Sequence, residues 1–205
     1  MQWDSVRRLI FIPVIHTQAD LGSLSEAVRQ LYIQRMGARQ WNHRLKTVDE
    51  MWRGISKQIE SLDLDYGKVR LYQDGLPRCG HEEAMIKDMA QAGSQNHRLL
   101  LHLMEKGARI VGTESPELLL EEYELARQTL ACLSSGKKGE LSNRGQDGAA
   151  RLLLEKRDRY IAQRINETLR IGETGLVFLG LLHSLLGLLP PDIKVTEVFK
   201  ADKTT

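Results

Sequence analysis

The stretch from Thr174 to His183 constrains the fold of this chain most strongly, because glycine and apolar residues run without a break from Gly175 to a Gly-x-x-His ending. An apolar run this short is typical of a strand buried on both faces, as in a parallel sheet covered by helices. Open α/β sheets bind ligands at the carboxyl ends of their strands. His183 stands where this strand stops, and is therefore placed for chemistry rather than for packing.

Three other strand-like runs also stop at a polar or ionisable residue. The run 9–15 ends at His16, the run 69–73 at Asp74, and the run 108–113 at Glu114. The carboxyl ends of parallel strands meet at one edge of a sheet. If the four strands are parallel, two imidazoles and two carboxylates gather there, and the sequence predicts a site at that edge.

The segments between these runs carry helix signals. Apolar residues spaced three and four apart mark a helix from 45 to 62, and Ser115 with Pro116 begins another directly after the third run. The alternating residues 192–199 suit an edge strand. We therefore expect an α/β fold with one central, mostly parallel β-sheet flanked by helices, formed as a single domain by residues 1–205.

The longest predicted helix, from about residue 149 to 171, carries a charge on its apolar face. Asp158 lies at helical spacing within the apolar stripe, with Arg157 beside it. A buried charge is costly unless it is paired. Asp158 therefore either forms a structural ion pair, with Arg157 or Arg164 as candidate partners, or reaches the strand-end site.

Residues 134–148 precede that helix and contain four glycines with almost no apolar content. Loops this long without structure of their own are usually mobile or functional. The sequence predicts a mobile loop here, which is either solvated or a lid over the strand edge.

Composition excludes several classes of protein. The 29 basic and 27 acidic residues leave a formal charge of only +2, scattered along the chain, so no nucleic-acid partner is predicted.

Cys79 and Cys132 lie far apart, as expected of reduced thiols in the cytoplasm. The start of the chain lacks the features of a signal peptide. The apolar segment 175–191 is shorter than the roughly 20 residues of a membrane span, so we expect a cytoplasmic protein with no membrane partner.

Four pieces of the sequence resemble the TraB/Tiki superfamily, whose more distant relatives are similar to erythromycin esterases and ChaN-type haem-binding proteins. The matching pieces are 12–16, 107–114, 154–162 and 178–183. The resemblance implies an α/β fold of the same kind. Some members of the superfamily are metal-dependent proteases, whereas others bind or regulate without known catalysis.

The resemblance also implies site residues. The family's two Gly-x-x-His histidines fall on His16 and His183, its glutamate on Glu114, and its Arg-Asn pair on Arg157 and Asp158. Two of these motifs depart from the family pattern. The first has a proline where the family has glycine, and Asp158 replaces asparagine.

Histidines and carboxylates in this combination suit a divalent metal ion such as Zn, Mn, Co or Fe. We assign His16 and His183 as ligands, Glu114 as third ligand or general base, and Asp74 as the alternate carboxylate. Arg157 would clamp an oxyanion or a substrate carboxylate.

The predicted function is a metal-dependent hydrolase, peptidase-like or esterase-like, acting on a small-molecule or peptide substrate. The alternative is a non-catalytic module that binds a small ligand or haem at the same edge, or that acts in regulation.

Overall fold

Five parallel strands form one sheet at the centre of the protein. The computed structural model describes residues 6–15, 24–134, 140–185 and 187–198. The strands are β1 Arg7–Val14, β2 Val69–Gln73, β3 Arg109–Val111, β4 Thr174–Gly180 and β5 Ile193–Glu197. Their order is β3-β2-β4-β1-β5, and every neighbouring pair is parallel. The expected α/β fold is confirmed, and the strand that leads to His183 lies in the middle of the sheet.

Helices cover both faces of the sheet. They are α1 Ser25–Met36, α2 Ala38–Glu60, α3 Glu82–Gln91, α4 Gln95–Glu105, α5 Pro116–Ser134 and α6 Glu140–Thr168. The chain moves in one direction from β1 to β2 to β3, and returns from β3 to β4. Crossovers between parallel strands are right-handed, so connections that move in opposite directions lie on opposite faces. This places α2 and α4 on one face and α6 on the other.

The side chains of β4 divide the core into two layers. Leu176 and Phe178 pack with the apolar residues of α2 and α4, whereas Val177 and Leu179 pack with those of α6. All four are fully buried. This alternation is the two-residue period of a strand, and it explains why β4 reads as a continuous apolar run: both of its faces are covered by helices.

Pro13 stands inside β1, a position that usually excludes proline because it cannot donate to the ladder. On one side β1 pairs with β4 through Val14, but on the other side its pairing with β5 ends at Phe11. The Phe11 carbonyl accepts a bond from Val198 and so points towards β5. The backbone groups of Pro13 face the same side of the strand as those of Phe11. They lie beyond the last residue pair of the β1–β5 ladder, so the missing N–H of Pro13 removes no hydrogen bond from the sheet.

The prediction of a loop over residues 134–148 is wrong for residues 140–148. Helix α5 runs to Ser134, and α6 begins at Glu140 rather than near residue 149; residues 135–139 lie outside the described residues. Extending a helix that is already nucleated adds a hydrogen bond for each residue fixed. The packed remainder of α6 supplies that nucleus, which outweighs the low helix propensity of the glycines.

The connection from β4 to β5 stays close to the sheet edge. Leu185 packs in the core layer of α6, whereas Leu181 and Leu182 are exposed. Among the described residues, no helix combines the length and the apolar character that crossing a membrane requires.

Candidate functional site

The strand order produces a crevice at the carboxyl ends of β2, β3 and β4. The connection after β2 leaves to the face of α2 and α4, whereas those after β3 and β4 leave to the face of α6. Neighbouring strands whose connections part in this way form the ligand crevice of open α/β sheets. Asp74, Glu114 and His183 follow these three strands, and one side-chain ligand atom from each lies within 4.8 Å of the others.

Arg157 of α6 holds the two carboxylates of the crevice together. Its Nε donates to Glu114 Oε2 at 2.7 Å, and its Nη2 donates to Glu114 Oε1 at 2.5 Å and to Asp74 Oδ1 at 2.8 Å. Its Nη1 donates to Glu122. Burial alone would lower the pKa of Arg157, but the bonds and charges of these carboxylates raise it above its ordinary value. The guanidinium is therefore a fixed cation with a bidentate partner.

Backbone N–H groups fix the same carboxylates from the other side. Gly180 donates to Asp74 Oδ2 at 2.9 Å, and Gly75 donates to Glu114 Oε1 at 3.0 Å. The Glu114 residue is 0% exposed. A buried carboxylate is tolerated only when its oxygens are satisfied, so these two are held in one geometry.

His183 lies between two carboxylates. Its Nδ1 is 2.6 Å from Asp158 Oδ1, and its Nε2 is 3.4 Å from Asp74 Oδ2. Burial by itself lowers the pKa of His183, but the bonds and charge of Asp74 and the bond to Asp158 outweigh it and raise that pKa to about 9. Without a bound metal ion these carboxylates therefore favour the imidazolium form of the ring.

Asp158 is buried and paired, as the sequence indicated, and of the two alternatives it reaches the strand-end site through His183. The candidate partners were Arg157 and Arg164, whereas Asp158 bonds His183 and accepts the Ser184 N–H at 3.0 Å. Successive helical residues point about 100° apart. Arg157 therefore faces the ends of β2 and β3, while Asp158 faces the residues that follow β4.

Glu122 was missed by the sequence analysis. It lies on α5, and its side chain is 48% exposed, so it forms the solvent side of the cluster. Partial burial raises the pKa of Glu122, the charge of Arg157 opposes this, and Asp74 and Glu114 raise it further. The available signal was its helical spacing from the half-buried residues Leu118 and Leu125, which is too general to indicate a site.

His16 lies outside the described residues. Its neighbour Ile15 follows β1 at the same edge of the sheet, and the Ile15 carbonyl accepts a bond from the Trp52 indole at 3.2 Å.

The donor set fits a divalent metal ion in part. Two carboxylates and one imidazole suit such an ion. Asp158, which contacts the Nδ1 of His183, corresponds to the carboxylate that usually orients a metal-binding histidine. Arg157, however, engages both oxygens of Glu114. Asp74 Oδ2 and His183 Nε2 are therefore the donor pair that the present geometry favours, and Glu114 would join them only if the guanidinium moved.

Comparisons with protein-family models, with curated proteins and with solved structures found no match for this chain.

Proposed function

We propose that the crevice at the carboxyl edge of the sheet is the active site of a metal-dependent hydrolase, peptidase-like or esterase-like. The observation that carries the proposal is the arrangement of Asp158, His183 and Asp74. One ring nitrogen of a buried histidine is held at 2.6 Å by a carboxylate, and the other faces a second carboxylate at 3.4 Å. Packing of the core does not require three adjacent ionisable side chains at a ligand crevice, and such clusters are typical of functional sites.

In this proposal Asp74 and His183 hold the ion, with His16 as a further ligand by the resemblance stated above. Asp158 fixes the orientation of the His183 ring and raises its basicity. A divalent ion bound there would supply a water of lowered pKa and would polarise a carbonyl group. Glu114 holds the Arg157 guanidinium in place through its two oxygens.

Arg157 and Glu122 are assigned to the substrate side. The Nη1 group of Arg157 reaches the half-exposed Glu122, so this end of the guanidinium is the one nearest to solvent. A substrate oxyanion or carboxylate would replace Glu122 as the partner of Nη1. Glu122, a carboxylate with a raised pKa at the mouth of the crevice, is then available as the general base.

Metal content tests the proposal directly. Protein purified without chelators is analysed for bound elements, beside the variant His183→Ala and the control His102→Ala, which removes a half-exposed histidine of α4. We expect one divalent ion per chain in the parent and in His102→Ala, and a loss of that ion in His183→Ala. Equal metal content in all three, or none in the parent after incubation with Zn, Mn, Co and Fe, would contradict the proposal.

The alternative function is a non-catalytic module on the same fold. The observation that favours it is that Arg157 already satisfies Glu114 and Asp74 without any ligand. The haem version fits less well, because both nitrogens of His183 face carboxylates and its side chain is 4% exposed. A Soret band after haem addition would favour that version, and binding of a small anion without turnover would favour the other.

A further inference from the structure

Two buried amide side chains on the face of α2 and α4 have polar atoms with no partner. Among the described residues, Gln73 Oε1 and both Asn96 Oδ1 and Asn96 Nδ2 are buried side-chain atoms without a hydrogen-bond partner. Gln73 is 1% exposed and Asn96 is 0% exposed. Leaving such a group unmatched costs about 1–3 kcal/mol, and native interiors rarely do so.

Both amides lie at the same end of one interface. Gln73 follows Leu71 by two residues, so it is on the same face of β2, one step nearer to the carboxyl edge. Asn96 precedes Leu100 by four residues, so it lies on the same face of α4, one turn nearer to the helix start. Leu71 and Leu100 share one core layer. Because α4 leads into the start of β3, its first turn lies over the carboxyl end of the sheet.

The orientation of the Gln73 amide is fixed. Its Nε2 donates to the Asp74 carbonyl at 2.9 Å, so Oε1 is the atom directed away from that bond. The residues that flank Asn96 in the first turn of α4 are engaged with one another, since Ser94 Oγ lies 2.7 Å from His97 Nδ1. The unmatched set is therefore two acceptors and one amide donor.

We propose that an ordered water molecule occupies the interface between Gln73 and Asn96. A water molecule donates two hydrogen bonds and accepts up to two, so one molecule can satisfy both amide oxygens and one N–H of the Asn96 Nδ2. Buried waters typically make about three such bonds to groups that are otherwise unmatched. No larger ligand suits the position, because all three atoms are closed to solvent.

The water links α4 to the edge of the candidate site. It ties the first turn of the helix to Gln73, and Gln73 in turn holds the backbone of Asp74. Gln73 and Asn96 are therefore positioning residues for the end of β2. This inference stands on the unmatched atoms and does not depend on the proposed function.

Water-selective NMR on the unmodified protein tests the proposal. The side-chain NH₂ signals of Asn96 are assigned as the pair that disappears in Asn96→Leu. We expect water cross-peaks to these protons of opposite sign in NOE and ROE spectra, as for a water that stays longer than nanoseconds. Assigned Asn96 protons without a water cross-peak would overturn the proposal, as would cross-peaks to a molecule other than water.

Thermal unfolding gives a second, independent readout. Asn96→Leu is compared with Asn42→Leu, which makes the same replacement at an exposed position of α2. If water is present, Asn96→Leu removes two of its partners and lowers the Tm by about 4 °C relative to the control. If the interface is empty, the same change removes an unmatched amide, and Tm is equal to or above that of the control, which would contradict the proposal.

Discussion

Asp158 and His183 are joined at 2.6 Å across 25 residues of sequence. The other oxygen of the same carboxylate accepts the Ser184 N–H at 3.0 Å. One side chain of α6 thus fixes both the ring and the backbone of the segment that follows β4. Because Arg157 binds the residues that follow β2 and β3, two successive residues of α6 organise all three strand ends.

Removing the Asp158 carboxylate should destabilise the fold strongly. Asp158→Ala leaves the His183 ring with a single, more distant carboxylate partner, and breaking a buried pair costs about 3–5 kcal/mol. The measurement is the free energy of unfolding in urea at pH 7. Glu155→Ala is the control on the same helix, because Glu155 is 45% exposed and its ion pair with Arg151 lies at the surface. Equal effects of the two changes would mean that the His183 contact carries little energy.

Stability should depend on pH through His183. The folded pKa of about 9 lies above the ordinary value of about 6.5. A raised folded pKa stabilises the protein fully below the unfolded pKa, and this contribution is lost as pH rises through 6.5 to 9. The shift corresponds to about 3 kcal/mol. In metal-free protein we expect the difference in unfolding free energy between the parent and His183→Gln to shrink over that pH range, and a constant difference would contradict the assignment.

Replacing Arg157 even by lysine should lower the stability of the fold. Arg157→Lys keeps the charge but loses the bidentate pairing with Glu114, so we expect a loss of about 2 kcal/mol or more. Arg159→Lys, at an exposed position two residues along α6, is the matched control. Urea unfolding compares the two variants, and a double-mutant cycle with Glu114→Gln should give a coupling energy of about 0.5–3 kcal/mol. A coupling near zero would contradict this account of the pair.

Two glycines should not tolerate a methyl group. A Cβ at Gly112 would lie 2.6 Å from the Arg78 Cα, and one at Gly175 would lie 2.7 Å from Leu9 Cδ1. We expect Gly112→Ala to lower the free energy of unfolding by about 1–3 kcal/mol. Gly175→Ala should lower it less, because the end of a leucine side chain moves aside more readily than backbone does. Gly54→Ala, in α2 with nothing within 4 Å, should instead stabilise by about 0.5–1 kcal/mol. Thermal unfolding of the three variants checks this order.

The strands and their ends could be predicted because each apolar run stops at an ionisable residue. The partners within the site could not. Which way Arg157 and Asp158 point depends on the rotation of α6 over the sheet, and on β4 lying between β1 and β2, neither of which leaves a local signal. The assignment of His16 stays a prediction. The unmatched amide of Asn96 was equally hidden, because an asparagine near a helix start reads as an ordinary solvated residue.

The sheet order has a consequence for how the chain is made. β1 pairs only with β4 and β5 among the described strands, and β4 does not begin until Thr174. At about 5–20 residues per second, a ribosome completes β4 about ten to thirty seconds after β1. During that interval both edges of the apolar strand from Leu9 to Val14 have no native partner and are open to strands of other nascent chains. The newborn protein is therefore expected to need a chaperone at β1 until β4 has been synthesised.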